Sequence, residues 1–436
     1  MNRQISVAVR AALTGGLGLL LANPAATASG FSVPELSALG TGTANAVVAN
    51  PQETGAFGYN PSAMGFHDSS SIALGTILIN PKFDVTTTSG NHDSENADWF
   101  AAPIFQAALK VNEQWRIGVG VSAPFGLETR WRLGTFPKLS GTFQQPTGAP
   151  APFPPSITLP TGNHPTDSKV EIVVFTPTLA YRVNEELSLA AGIDYYKVGE
   201  AKLNSQLANM DGDGDAAGWN ASMLFRRNAW SFGASYHSSV TADIDGWYSP
   251  LDPRLVQLGV LKPGQSVSLD LNLPWRLQLG ARYEVNQALA VEFDWTRIGW
   301  SSFDKLDVIG SMDGLITSDV NDWSDTNAYR LGLTYDVRPT TQLRFGYSYD
   351  ETGQDEKHFS ARVPDNDRHL FSIGAGQDLG QGWALEAAYM YVKVNERNVR
   401  SDVAYRLGED VNGSDALDGK YNSSVNLVAL ELKKSF

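Results

Sequence analysis

The stretch Tyr329-Arg330-Leu331-Gly332-Leu333-Thr334-Tyr335 puts Tyr329, Leu331, Leu333 and Tyr335 on one side of an extended chain and Arg330, Gly332 and Thr334 on the other. A period of two marks a strand with one apolar and one polar face. The same beat recurs from about Ser71 to the terminal Phe436 with no helical stretch between. Strands of this kind in unbroken succession predict an all-β fold, a transmembrane antiparallel barrel with lipid against the apolar face and a polar lumen inside. Fourteen segments carry the pattern: 71–85, 102–110, 115–126, 170–183, 187–200, 217–226, 229–247, 266–285, 288–308, 326–336, 341–350, 368–378, 383–395 and 423–436. Their connections alternate between short turns such as Asn112-Glu113, Arg227-Asn228 and Asn286-Gln287 and long loops at 86–101, 127–169, 201–216, 248–265, 309–325, 351–367 and 396–422. An even number of strands with short periplasmic turns and long outer loops is the expected barrel pattern.

The 436 residues would allow two or three soluble domains, but the unbroken beat argues for one. A hydrophobic content of 42% conceals a membrane protein, because each strand of a barrel is half polar. Residues 1–28 read as a signal peptide. Arg3 and Arg10 give its positive start, Ala11 to Leu21 its apolar core and Ala26-Thr27-Ala28 its cleavage site, so the mature chain begins at Ser29. Cleavage takes the net charge from −14 to −16, since the removed segment carries two arginines and no acid. A chain this acidic is a poor partner for nucleic acid. The sequence has no cysteine, which excludes disulfides, thiolate metal sites and a lipidated N-terminal Cys. No apolar run of about 18 residues follows the signal, so no membrane helix is expected. Signal, strands and missing helix point to the Gram-negative outer membrane, with its lipid and lipopolysaccharide and the barrel-insertion machinery as partners of a monomer.

Residues 29–68 lack sustained alternation and are rich in Gly, Ala, Ser and Asn, with apolar positions at Val33, Leu36, Leu39, Val47 and Val48. They read as a plug, or hatch, in the lumen of the 69–436 barrel. The longest loop, 127–169, holds eight prolines, among them Pro150, Pro152, Pro154 and Pro155. It reads either as a stiff cap on the mouth or as a surface loop.

Short motifs then fix a resemblance. Gly30-Phe31 followed by Glu35 and Gly40, Asn60-Pro61-Ser62, Ala123-Pro124-Phe125-Gly126-Leu127, Gly218-Trp219-Asn220-Ala221, Leu273-Pro274, Trp295-Thr296 with Trp300-Ser301-Ser302-Phe303, and Pro364-Asp365-Asn366-Asp367-Arg368 occur in this order. Together they resemble the FadL-type outer-membrane transporters of long-chain fatty acids, a family that includes TodX-like channels for aromatic hydrocarbons. The resemblance implies a fourteen-stranded barrel, an N-terminal hatch and a kink in the third strand that opens the wall sideways. Hydrophobic substrate would be caught outside, enter a greasy pocket and leave laterally into the membrane. It makes Phe31, Asn60, Pro61, Ser62, Pro124, Phe125 and Gly126 the candidate transport path. Ser62 stands where the family has alanine. The loop at 201–216 is short where fatty-acid members have a long one, and the proline-rich loop is enlarged instead.

The residues at the kink support a gap on their own. Pro124 has no N–H for the ladder, and Gly126 weakens a strand. Unpaired backbone facing lipid is costly, so another group must satisfy it, and the Asn60 amide is a candidate. An ordinary bulge is the plainer reading. Phe31 either reaches the substrate pocket or anchors the plug. Glu292 and Asp294 alternate with Val291, Phe293 and Trp295 and should face the lumen, where Arg330 and Arg344 would complete a charge network. Recruitment of Arg330 to a fatty-acid carboxylate is the alternative. Asp211, Asp213 and Asp215 resemble the front of a calcium loop but lack its distal Glu, so no metal is expected. The eleven Trp and fifteen Tyr fit aromatic belts, with Trp247 and Trp323 as rim anchors. The last strand carries Val428, Leu430, Leu432 and Phe436 on one face, like the signal read by the insertion machinery, with Lys434 where an aromatic is usual.

The leading function is passive transport of hydrophobic molecules, fatty acids first and aromatic or alkane hydrocarbons second. No nucleotide motif and no cofactor is implied. An outer-membrane lipase would need a Ser–His pair. Ser235 and His237 share a strand face, but no Gly-x-Ser-x-Gly elbow occurs, and the chain is read as not an enzyme. A general porin is the third reading, opposed by the hatch.

Overall fold

The computed structural model describes residues 30–53, 56–95, 99–146, 148, 155–406 and 408–436. The expected signal peptide and Ser29, with Pro150, Pro152 and Pro154 of the proline-rich loop, lie outside them.

The outward face of the stretch that opened the reading is bare. Tyr329, Leu331, Leu333 and Tyr335 are 40%, 44%, 36% and 46% exposed, while Arg330 and Thr334 between them are 2% and 4% exposed. Apolar outside and polar inside is the inverse of a soluble sheet and suits lipid as the outer solvent. Fourteen staves repeat the arrangement: β1 Ser71–Thr87, β2 Phe100–Lys110, β3 Trp115–Arg130, β4 Pro165–Arg182, β5 Leu187–Ser205 and β6 Ala208–Arg227. There follow β7 Trp230–His237 continued by Val240–Pro250, β8 Gln265–Leu273 and Arg276–Glu284, β9 Leu289–Ile298 and Lys305–Gly310, and β10 Gly314–Val320 and Thr326–Arg338. β11 Thr341–Asp350, β12 Arg368–Gly380, β13 Trp383–Val394 with Arg397–Val399, and β14 Gly419–Ser435 complete the ring. Every neighbour pair is antiparallel, and β1 pairs with β14 from Ser71↔Ser435 to Thr86↔Lys420, which closes the sheet on itself and leaves it without edges.

Three of the short turns are built alike. Asn112, Asn184 and Asn286 each turn a side-chain Oδ1 onto two backbone amides, those of Gln114 and Trp115, Glu186 and Leu187, and Ala288 and Leu289. These are Asx turns, in which the side chain takes the place of a backbone carbonyl. Exposed Trp115, Trp230, Tyr283, Tyr335 and Trp383 stand beside the short turns as an aromatic girdle.

At the opposite end the staves run on past the bilayer, and one expectation is corrected there. Residues 201–216 are not a loop. β5 and β6 continue to Ser205 and from Ala208, joined only by Gln206 and Leu207. The even positions of β6 point inward throughout: Ala208, Met210, Gly214 and Ala216, then Asn220 and Ser222, are all buried. The odd positions point outward and change character, from exposed Asp211, Asp213 and Asp215 to exposed Trp219 and Met223. The stave leaves lipid for water between Asp215 and Trp219. Asp213 pairs with Lys197 on the outer surface, and Asp211 accepts from Asn204. Gly314–Val320, within the expected loop 309–325, is likewise strand. Outer segments close over the mouth: Trp131, Phe136 and Leu139 from the proline-rich loop join Phe359, Ala361 and Leu417 in one apolar cluster. Trp131 Nε1 donates to the Ala361 carbonyl at 2.8 Å, and Lys138 pairs with Asp415.

Candidate functional site

The described residues of the segment 30–67 lie against the inward faces of the staves and are buried almost throughout. A one-turn helix, Ala38–Gly42, starts where Ser37 Oγ accepts from the Gly40 amide. A second short helical turn, Pro61–Phe66, starts where Asn60 Oδ1 accepts from the Ser62 amide, with Pro61 at the first position, where no N–H is needed. Between and around them the backbone is irregular, so its amides need partners. Inward carboxylates of the wall supply them. Asp294 Oδ2 accepts from the Val47 and Val48 amides at 2.8 and 2.9 Å, Glu292 Oε1 from Ala49 at 2.7 Å, and Glu431 Oε2 from Ala38 at 2.9 Å.

The four charges expected to form a lumen network are all inward and buried. Glu292 pairs with Arg282 at 3.3 Å, Arg330 with Asp350 at 3.2 Å and with Thr296, and Arg344 with Glu386. Asp294 is taken up by the inner segment. Within that segment Asn45 Nδ2 donates to Glu35 Oε1 at 2.9 Å, and burial pushes the Glu35 carboxyl above the usual carboxylate range.

Asn60 is also corrected. Its Nδ2 donates to the carbonyls of Val48 and of Met223 on β6, at 2.7 and 3.0 Å. It ties the inner segment to the sixth stave and makes no bond to the third. Pro61 and Ser62 are buried beside it, with the Ser62 amide also 3.1 Å from Ser222 Oγ.

The third stave does break. β2 and β3 pair from Lys110↔Arg116 to Phe105↔Val121 and no further, although Phe100–Ile104 remain paired to β1 on the other side. Against β4 the register slips between Ser122 and Phe125, so Ala123 and Pro124 stand opposite the single Val173. Above the break Arg130 meets the strand region again through Ser94 and Glu95. The groups freed on β3 are satisfied from inside by the start of the inner segment: the Val33 amide donates to Pro124 O at 2.7 Å and the Gly126 amide donates to Phe31 O at 2.9 Å, flanking a Ser32↔Phe125 bridge. The lumen backbone thus acts as a short extra strand along the gap.

Phe31 is thereby fixed at the break, and its ring sits in an aromatic cluster. Ring centroids lie 4.9 Å away for Trp300, 5.3 Å for Phe303, 5.9 Å for Phe125 and 6.4 Å for Trp323. Trp323 is 2% exposed, so it is part of this cluster and not a rim anchor, whereas Trp247 is 53% exposed. Trp300, Phe303 and Trp323 are the site residues that sequence reasoning missed. The signal for the first two was the Trp300-Ser301-Ser302-Phe303 motif beside a break between two strand segments of β9. Above Phe31 lies a cavity walled by Leu127, Val170, Leu271, Phe303, Leu306 and Val363. Lys169, Lys202 and Arg362 border it, but Lys169 is paired with Glu171 and Glu200, Lys202 with Glu200, and Arg362 with Asp319. Ser235 and His237, the pair a hydrolase would need, are both buried and share no hydrogen bond, and neither Ser235 Oγ nor His237 Nε2 has a partner among the described residues.

Comparison with known proteins bears on this geometry. A family model described as outer membrane protein transport protein (OMPP1/FadL/TodX) matches residues 19–140 and 139–436. The long-chain fatty acid transport protein of Escherichia coli (strain CFT073) is 25% identical over 402 residues, covering 86% of this chain and 90% of that protein. Outer membrane protein P1 of Haemophilus influenzae (strain Rd) is 24% identical over 463 residues, covering 96% and 97%. Among solved structures, a Pseudomonas aeruginosa FadL homologue superposes with a TM-score of 0.76 at 20% identity, over 93% of this chain and 100% of that one. The Pseudomonas putida toluene transporter TodX superposes with a TM-score of 0.66 at 14% identity, over 92% and 99%.

Proposed function

The chain belongs to the outer membrane protein transport family (OMPP1/FadL/TodX), and from that premise we propose that it carries long-chain fatty acids inward through the apolar cavity above Phe31 and releases them sideways through the break between β2 and β3. It is a transport protein of the Gram-negative outer membrane, and in this reading it catalyses no covalent chemistry. The observation that carries the reading is the wall's pairing. A barrel meant only to conduct water-soluble solutes gains nothing from leaving Phe100–Ile104 without β3 as a partner. Such a gap serves a ligand that prefers lipid to lumen. Moving an alkyl chain out of water gains roughly 0.8 kcal/mol per CH₂, so capture is spontaneous and no energy source is needed. Residues 30–67 act as the hatch of the barrel, with Phe31, Ser32 and Val33 covering the gap and Asn60, Pro61 and Ser62 holding the hatch to the wall. Displacement of Phe31 from its aromatic neighbours would open the passage.

The paired state of Lys169, Lys202 and Arg362 favours a second reading, an aromatic or alkane hydrocarbon as cargo, because the upper cavity offers no uncommitted cation among the described residues. Uptake of labelled oleate and of labelled toluene, by cells that lack their own transporter and express this chain, separates the two. Oleate uptake above background supports the fatty-acid reading. Toluene uptake alone overturns it and leaves the hydrocarbon reading, and uptake of neither by a correctly inserted barrel overturns both.

A further inference from the structure

A second cavity lies on the inner side of the break, where Pro124, Phe125 and Ile298 give it an apolar wall and Asp194, His237 and Arg276 a polar one. The polar wall is organised. Asp194 Oδ2 stands 2.7 Å from His237 Nδ1, and its other oxygen accepts from Thr176 Oγ1 at 3.0 Å and from Asn220 Nδ2 at 2.8 Å. Those bonds hold the carboxylate rigid and assign the Nδ1 proton of His237 to it. The ring's Nε2 is left as a bare acceptor. It is buried, with the residue only 6% exposed, and has no partner among the described residues. A buried polar atom without a partner is uncommon and calls for an explanation.

Arg276 supplies the complement. It stands directly opposite His237 in the β7–β8 register, which puts the two Cβ atoms about 5 Å apart. Its Nη2 donates to the Gly58 carbonyl at 2.6 Å, which turns the guanidinium inward, and its Nε is also without a partner. One open acceptor and one open donor therefore line the same cavity, next to the part of β3 where pairing to β2 has ended.

We propose that Asp194, His237 and Arg276 form a seat for the carboxyl group of a long-chain acid at the point of lateral exit. The acid O–H donates to His237 Nε2, and the second carboxyl oxygen accepts from Arg276. Asp194 does not touch the ligand; it positions the imidazole. Charge supports this choice of ligand. Asp194 and Arg276 offset one another, so the cavity accepts a group that brings its own proton without gaining net charge. A hydrocarbon satisfies neither open atom, and a methyl ester lacks the proton that His237 Nε2 accepts. The inference rests on the transport reading above and names its substrate class.

The test is equilibrium binding of oleate and of methyl oleate to the purified full chain in nanodiscs, for the parent, His237→Phe and Arg276→Gln, each shown to be an assembled barrel by its heat-dependent electrophoretic mobility. The hydrogen bond to His237 Nε2, which the ester cannot make and whose loss leaves a buried acceptor unpaired, predicts that the parent prefers oleate by about tenfold. His237→Phe should remove most of that preference, and Arg276→Gln should weaken oleate binding. Equal affinity of the parent for the two ligands, or a preference that survives His237→Phe, overturns the seat and leaves the transport reading standing. If neither variant assembles, the parent's ratio alone decides. Binding of neither ligand by the parent overturns both.

Discussion

Gly346 has no side chain, and the backbone of Thr43 and Ala44 fills the space one would need: a Cβ there would lie 2.1 Å from the Thr43 carbonyl carbon. Gly233 is alike, with the Val48 carbonyl oxygen 2.0 Å from the place of a Cβ. These inward glycines are sockets for the hatch backbone. Gly30 serves the same segment differently, through a φ of +68° and the Trp323 ring at 2.2 Å from where a Cβ would sit. On the outer side His164 plays the fixing role. Its Nδ1 donates to the Pro165 carbonyl at 2.8 Å, its Nε2 accepts from the Phe136 amide at 3.4 Å, and its ring packs on Phe136. Burial lowers its pKa from 6.5 to about 4. The docked loop excludes the proton that the undocked ring takes up, so its stabilisation is complete above pH 6.5 and fades as the pH falls towards 4, by at most about 3 kcal/mol. The protection factors of amides in the described residues 131–146 and 155–164, with the intrinsic exchange rate at each pH divided out, should therefore fall between pH 6.5 and 4, and His164→Phe should remove that dependence. At this scale the sequence was partly legible. Phe31, Pro124 and Gly126 stood out by type. Asn60 was placed at the wrong neighbour, because an amide's chemistry says what it bonds and not which carbonyl is within reach. Trp323 was sent to the rim, because nothing local distinguishes a belt tryptophan from a buried one.

Among the elements, the hatch and β3 depend on each other. The hatch has almost no regular structure, so its amides are held by wall carboxylates, chiefly Asp294 and Glu292. Asp294→Ala leaves the Val47 and Val48 amides without an acceptor, at a cost of about 1.5–3 kcal/mol for each charged bond. The barrel itself should survive, since the ladder around Asp294 is backbone. The expected outcome in planar bilayers is an intact protein with frequent openings to small ions that the parent does not show; an unchanged, closed trace would mean the hatch is held elsewhere. The staves were legible because lipid enforces one apolar face. All fourteen appeared in the sequence, and the misreading fell where that enforcement stops. In β6 the outward positions change from Trp219 to Asp215, Asp213 and Asp211 as the stave enters water, while the inward ones change from Asn220 to Ala216 and Met210. The polarity reverses its phase without any change of conformation, and acidic residues alternating with glycine read as a loop.

For the whole molecule, the closed ring and its inverted polarity set the terms of stability. No disulfide is available to a chain without cysteine, so the barrel rests on strand pairing around the closed ring and on the apolar band. Leu331→Arg, outward and 44% exposed in the middle of β10, should cost about 2–4 kcal/mol near the bilayer midplane. The midpoint of urea unfolding from lipid vesicles reads this directly, and an Arg at exposed Asp213, above the band, should leave it within error. Such a molecule solves a transport problem by geometry alone. In the proposed reading the outer loops and upper cavity collect an apolar ligand, Phe31 and its aromatic neighbours hold it, and the break between β2 and β3 lets it out.

That seam can be locked. Ser32 and Phe125 face each other as a non-hydrogen-bonded antiparallel pair, between the Val33-to-Pro124 and Gly126-to-Phe31 bonds. Such pairs have Cα atoms about 4.5 Å apart, within the reach of a disulfide. Oleate uptake by cells expressing the Ser32→Cys, Phe125→Cys double variant, measured oxidised and then after reduction, tests the central claim in one protein. Lateral release past a moving hatch requires uptake to fall to background when the bond is formed and to return when it is reduced. Equal uptake in the two states would show that ligand leaves by another route.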